Sequence, residues 1–217
     1  MSRLRESLIE LIRRTSAEIP DDVQTAILRG LEQEKEGTIA KSALEIIERN
    51  IGLAKSKSQP ICQDTGSILF YVDCPVGMNQ VEFAQEAREA VKEATKLGYL
   101  RQNSVDSVTG KNDGTNLGPG SPNLHFHQHT SEDISVRLVL KGGGCENVGA
   151  QFSLPNTTLD ANRDLDGCRK VILEAVHQAQ GRGCGPGVLG VCIGGDRASG
   201  YEFSKRKPVY RFFAKHL

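Results

Sequence analysis

What this sequence lacks narrows it first. It has no excess of either charge, because Lys+Arg and Asp+Glu both number 27. No global basic field is therefore available to hold nucleic acid or an anionic membrane surface. No apolar run approaches the ~20 residues that span a bilayer. The longest, near Val188–Ile193, is short and interrupted by glycine. The opening Met-Ser-Arg-Leu-Arg-Glu carries charge where a signal peptide needs an apolar core, so the expected compartment is the cytoplasm. No Cys-x-x-Cys occurs among the six cysteines, which removes the usual signatures of zinc ribbons and two-cluster ferredoxins. Any metal site must draw single ligands from distant loops. Disulfide staples are not expected in a chain of this length without an export signal. Gly142-Gly143-Gly144-Cys145-Glu146-Asn147 lacks the third glycine of a dinucleotide fingerprint, and no Gly-Lys-Ser/Thr exists for a P-loop. A Gly-x-Ser-x-Gly elbow is also missing, which leaves a serine hydrolase without support. There is no internal repeat and no low-complexity segment.

What remains is an ordinary globular composition, 38% hydrophobic and 25% charged. Leu4, Leu8, Leu11 and Ile12 recur at helical spacing, and Pro20-Asp21-Asp22 opens a second helix through Val23, Ile27 and Leu31. A third helix is expected from about Thr38 to Ile51. The texture changes at Pro60. Ile68 to Val72 reads as a buried strand after the loop Cys62-Gln63-Asp64-Thr65-Gly66. A helix over Val81 to Leu97 follows, then an irregular stretch from about Asn103 to Asn123 that is rich in Gly, Asn, Asp and Ser. Stretches of this kind in compact proteins are usually functional or mobile. Strands are expected at Leu124–His129, Ile134–Leu140 and Val188–Ile193, with a helix at Leu165–Gln180 before the last. The expected fold class is mixed α/β in one domain over residues 1–217. Its helical N-terminal region (about 1–58) precedes a mixed sheet with flanking helices (about 59–204).

The cysteines divide by setting. Cys62, Cys145 and Cys184 fall in loops at predicted strand ends, and the last two are surrounded by glycine. Glycine lets backbone approach a bulky group closely, and free N–H groups in such loops can bond to sulfide or a carboxylate. Cys74 ends a strand, Cys168 lies in a helical pattern and Cys192 sits inside an apolar strand, so these three read as small buried hydrophobes. His125, His127 and His129 alternate on one strand face. That face is either simply polar, with one member touching substrate, or the start of a zinc or iron site.

Ile61-Cys62-Gln63-Asp64-Thr65-Gly66, the run Gly114 to Pro122, Lys141 to Val148 and Gly190 to Tyr201 together resemble the alpha subunit of class I fumarase and L-tartrate dehydratase, an iron–sulfur hydro-lyase family. The resemblance runs from the first helix to about Ser204. It implies a [4Fe–4S] cluster held by Cys62, Cys145 and Cys184 within the region 59–204, with Cys192 as the alternative third ligand. Three ligands for four irons leave one iron open to a small hydroxy-dicarboxylate, for which Lewis acidity would assist loss of hydroxide. Gln63 and Asp64 adjoin the implied ligand Cys62 and read as substrate-positioning or proton-relay groups, with capping of its own loop as the alternative for Asp64, and the resemblance suggests Arg101 as a carboxylate clamp. It also implies a separate beta subunit, hence a hetero-oligomer, and no nucleic-acid or membrane partner. Residues 205–217 stand apart as a basic, aromatic tail. Two other readings stay open: a non-catalytic relative whose cluster is structural or absent, and a zinc hydrolase built on His125, His127 and a cysteine.

Overall fold

A computed structural model describes residues 2–183 and 187–206 of the chain. They form two compact units, Met1–Gly142 and Gly143–Leu217. The division falls inside the triple glycine.

The first unit is mixed α/β. Three helices open it, α1 (Arg3–Ala17), α2 (Asp21–Gln33) and α3 (Ile39–Lys57), followed by strand β1 (Ser67–Pro75) and helix α4 (Gln80–Lys96). Strands β2 (Asn123–His129) and β3 (Ser135–Lys141) complete it. The helix starts follow from local chemistry. Ser2, Thr38 and Asn79 each accept a hydrogen bond from the backbone N–H three residues on, which satisfies a donor that the helix itself cannot. Asp21 and Asp22 place negative charge in the first turn of α2, where the helix dipole favours it.

β1 is the central strand, in the order β2-β1-β3. It runs parallel to β2, reached through α4, and antiparallel to β3. Both of its faces are covered, which is why Ile68 to Val72 reads as an unbroken apolar run. Ile68, Phe70, Val72 and Cys74 face a core made with Leu8 and Ile12 of α1 and Phe83, Ala87, Ala90, Val91 and Ala94 of α4. Three alanines on α4 let its backbone lie close to the sheet. Phe126 meets Phe83 edge-on, with ring centroids 5.8 Å apart. Arg5 of α1 pairs with Glu86 of α4 at 2.8 Å across the outer edge of this packing.

The alternate residues of the sheet form a second, polar face. Tyr71 stacks on His125 at 4.8 Å, and Asp73 pairs with Arg137 at 2.8 Å. His125 and His127 stand beside Tyr71 and Asp73 in the parallel register, so the strand does place the alternating histidines together. Among the described residues no group of three His, Cys, Asp or Glu is arranged to hold a metal ion.

The second unit holds helices α5 (Gly143–Asn147), α6 (Leu165–Ala179) and α7 (Arg197–Arg206). Asp164 caps α6. Two expectations change here. Cys145 lies in the short helix α5 rather than in an open loop. Residues 188–193 form no strand. A strand needs a hydrogen-bonding neighbour, and this segment instead lies against α7, where a Cβ on Gly190 would stand 2.0 Å from Ser204 O. Cys192 is accordingly exposed, not a buried hydrophobe. Cys74 is fully buried and Cys168 half-buried.

Gly66 is where the loop of Cys62 turns into β1. Its φ is +59°, and a Cβ there would lie 2.0 Å from Lys141 O. Gly77, at φ +88°, has open space around it. Gly77→Ala is expected to cost only the ~1–2 kcal/mol of a left-handed backbone, whereas Gly66→Ala should cost clearly more. Urea unfolding of the two variants checks this, and equal losses would mean that Gly66 is not held against β3.

Candidate active site

The site is built on the loop that precedes β1. Cys62 is half-buried, and its Sγ accepts from the backbone N–H of Asp64 at 3.4 Å. A donor aimed at sulfur stabilises charge on a thiolate. The loop passes the end of β3, where a Cβ on Gly142 would stand 3.1 Å from Asp64 Oδ2. The first glycine of the triple therefore makes room for the Asp64 carboxylate, and Gly66 makes room for the neighbouring backbone.

A second segment meets this loop after α4. Thr65 is buried, and its hydroxyl donates to Asn103 Oδ1 at 2.9 Å while accepting from the Arg101 N–H at 3.3 Å. The Thr65 N–H also reaches Asn103 Oδ1, at 3.0 Å. Asn103 Nδ2 donates to Gln63 O at 3.3 Å. Cys62, Gln63, Asp64 and Arg101 are thus carried on two segments tied directly to each other. The Arg101 side chain is exposed.

The irregular stretch beyond Arg101 carries much of its own hydrogen bonding. Asp106 accepts from the N–H groups of Val108 and Thr109, and Asp113 from that of Thr115. Asn112 accepts from the Gly114 N–H and donates to Gln102 O. Asn and Asp fold such a segment because their short side chains replace backbone partners. Thr65 and Asn116 lie in motifs quoted from the sequence, but the bonding role of Thr65, Asn103 and Asn116 is not visible there. The signal available was the density of Asn and Asp next to Gly114-Thr115-Asn116.

Cys145 belongs to the second unit. Next to it, Glu146 accepts from Lys205 Nζ at 2.7 Å and from the Tyr201 hydroxyl at 3.1 Å, which ties α5 to α7. Lys205 also lies over the Tyr201 ring. Cys184 falls outside the described residues.

Comparison with known proteins decides the family. The family model described as fumarate hydratase (Fumerase) matches residues 5–216. The chain belongs to the fumarate hydratase family. The match extends through much of the segment 205–217 that the sequence reading set apart. A Geobacillus stearothermophilus protein that carries the name fumarate hydratase class I is 49% identical over 210 residues, which is 95% of this chain and 41% of that protein. A Methanocaldococcus jannaschii protein with the name L(+)-tartrate dehydratase subunit alpha is 29% identical, over 99% of this chain and 75% of its own length. The L(+)-tartrate dehydratase subunit alpha of Escherichia coli K12 is 27% identical, over 89% of this chain and 62% of its own. The chain thus spans well under half the length of the first relative. Among the described residues no helix is long and apolar enough to cross a membrane.

The Tyr201 contact gives a measurable titration. Burial, the Glu146 charge and the hydrogen bond to Glu146 all hold the phenol above the usual 10. Its stabilising contribution is full below pH ~10 and is lost as pH climbs through the raised folded value. Absorbance at 295 nm, taken as the difference from Tyr201→Phe, should show a midpoint above 10 that falls in Glu146→Gln. An unchanged midpoint in Glu146→Gln would remove the carboxylate as a cause.

Proposed function

We propose that this chain is the alpha-type component of a [4Fe–4S] hydro-lyase that adds or removes water at a small hydroxy-dicarboxylate of the fumarate/malate or tartrate type. The observation that carries the proposal is the pairing, within one latched site, of a half-buried thiol and a carboxylate on the Cys62–Asp64 loop with the segment that bears Arg101. Membership of the fumarate hydratase family supports the reaction class. The substrate choice rests on the names of the relatives, which include both fumarate and tartrate enzymes.

The residues present suit the cluster. Cys62 already accepts a backbone N–H at its sulfur, and Cys145 is half-buried between glycine and Glu146. We assign Cys62, Cys145 and Cys184 as ligands. A cluster with three protein ligands supplies, when bound, an iron with open positions that acts as a Lewis acid towards a leaving hydroxyl. The chain's own groups perform the remaining work assigned to it. Arg101 presents a planar pair of N–H donors that matches one substrate carboxylate. The Gln63 amide orients the substrate beside the loop. Asp64, adjacent to a ligand and held at Gly142, relays the proton that leaves the carbon next to a carboxylate. Because both segments are hydrogen-bonded together, these groups are positioned before substrate arrives, which lowers the entropic part of the barrier.

A dicarboxylate also needs a cation for its second carboxylate and a base aligned with the C–H bond. We place these on a separate beta subunit, a reading supported by the words "subunit alpha" in the names of the tartrate dehydratase relatives. The assembly is then a hetero-oligomer, and we place it in the cytoplasm.

Anaerobic iron and sulfide analysis of a cysteine series tests the ligand set. Cys62→Ser, Cys145→Ser and Cys184→Ser should each lose most of the cluster, while Cys74→Ser and Cys168→Ser keep it. Full occupancy in Cys184→Ser with loss in Cys192→Ser would move the third ligand, and full occupancy in Cys62→Ser would end the proposal.

Activity gives a second test. The 217-residue chain with its cluster assembled should turn over fumarate or tartrate only at background, and addition of a matching beta subunit should raise the rate by orders of magnitude. Robust hydration of fumarate by the chain alone would refute this division of labour.

A further inference from the structure

The Cys62–Asp64 loop is held by side chains outside the proposed set of ligands and substrate-binding groups, and one of them, Asn116, uses its full bonding capacity. Asn116 is 2% exposed and sits in the left-handed region at φ +59°. Asparagine tolerates that conformation better than most residues, so its presence at a strained position needs a reason. Its amide supplies one. Oδ1 accepts from the backbone N–H of Asn103 and of Ser104, both at 3.1 Å. Nδ2 donates to Arg101 O at 2.7 Å and to Thr95 Oγ1 at 3.0 Å. Two acceptor positions and two donors are the whole capacity of the amide, and all four are used. Aspartate has no donors for Arg101 O, and leucine has nothing to offer at any of the four.

The chain of bonds continues in both directions. Thr95, in the last turn of α4, donates its hydroxyl to Val91 O at 2.8 Å, so one end is anchored in the helix that forms the core. At the other end Asn103 repeats the pattern of Asn116. Its Oδ1 takes both donors of Thr65, and its Nδ2 reaches Gln63 O. The Asn103 side chain thereby bonds on either side of Asp64, two residues from Cys62.

We infer that Asn103, mounted on Asn116, is a positioning residue that fixes the Cys62–Gln63–Asp64 loop in register with Arg101. The loop preceding β1 has its Cys62 and Gln63 ahead of the sheet, where no ladder hydrogen bonds hold them. Without Asn103 it keeps its covalent attachment at Ser67, the close approach at Gly66, the bonds of Ile61 to Ser16 O and Asn50 Nδ2, and the Arg101 N–H bond to the Thr65 hydroxyl. It loses the Asn103 ties at Thr65 and Gln63. The inference rests on the reading of this loop as the substrate and cluster site, and its test separates the two.

Asn103 is exposed, so its replacement leaves the core intact. In the full chain stripped of iron, the alkylation rate of each cysteine by iodoacetamide is followed by mass spectrometry. Asn103→Ala removes three side-chain hydrogen bonds, two from Thr65 and one to Gln63 O, and should raise the Cys62 rate at least about fivefold. Cys168 should keep its rate and the melting temperature should stay within ~2 °C. Asn103→Asp keeps the acceptor for Thr65 and should return Cys62 most of the way to the parent rate. An unchanged Cys62 rate in Asn103→Ala overturns the inference, as does equal acceleration of Cys62 and Cys168 with a fall in melting temperature, which marks a general structural role. In the cluster-loaded assembly with its beta subunit, Asn103→Ala should raise KM for the dicarboxylate about fivefold while kcat falls less. Acceleration at Cys62 without any change in KM or kcat would overturn the catalytic reading of the loop and leave Asn103 as its latch alone.

Discussion

The first unit depends on the double burial of β1. One face of the strand presses Ile68, Phe70, Val72 and Cys74 into α1 and α4, and the other carries Leu69 and Tyr71 among the side chains of β2 and β3. A strand covered on both faces and paired on both edges cannot shift by one residue, because every side chain would change sides. That fixed strand sets where its preceding loop begins. The loop then has to pass the end of β3, where the approach requires glycine at position 66 and Gly142 leaves room for the Asp64 carboxylate. The placement of Cys62 and Asp64 is therefore a consequence of the packing of β1.

A further consequence is the division of labour along the stretch after α4. Leu100 closes the core, and the next residue, Arg101, faces solvent. Within a few residues the chain passes from apolar packing to a hydrogen-bonded network of Thr65, Asn103 and Asn116. Such a network is worth most where solvent is excluded, and Thr65 and Asn116 are the members that are buried.

Much of the architecture was legible in the sequence. The stripe of Leu4, Leu8, Leu11 and Ile12 became α1, Ile68 to Val72 became the centre of β1, and the alternation around His125 to His129 became β2. These succeed because burial imposes a period of 3.6 or 2 on the residues that face a core. The segment Val188 to Ile193 carried the same apolar composition and formed no strand, because pairing needs a partner that composition does not reveal. Cys192, expected to be buried there, is exposed for that reason. The short helix around Cys145 was hidden by the two glycines that open it, whose low helix propensity argues against it.

By itself the sequence determined the mixed α/β class and the family, and it set apart the loop Cys62-Gln63-Asp64-Thr65-Gly66 as a candidate site. Those are properties of local pattern and of long ordered motifs, which survive without knowledge of contacts. Only the tertiary structure decided that Arg101 is tied to that loop, since the two are 36 residues apart and meet through Thr65. It also decided that Asn116 and Asn103 hold them together, because a hydrogen bond between distant residues leaves no period in the chain. Glycine shows the same split. The sequence displays 23 of them alike, and the fold alone shows that Gly66 stands where a side chain would strike Lys141 while Gly77 stands in open space.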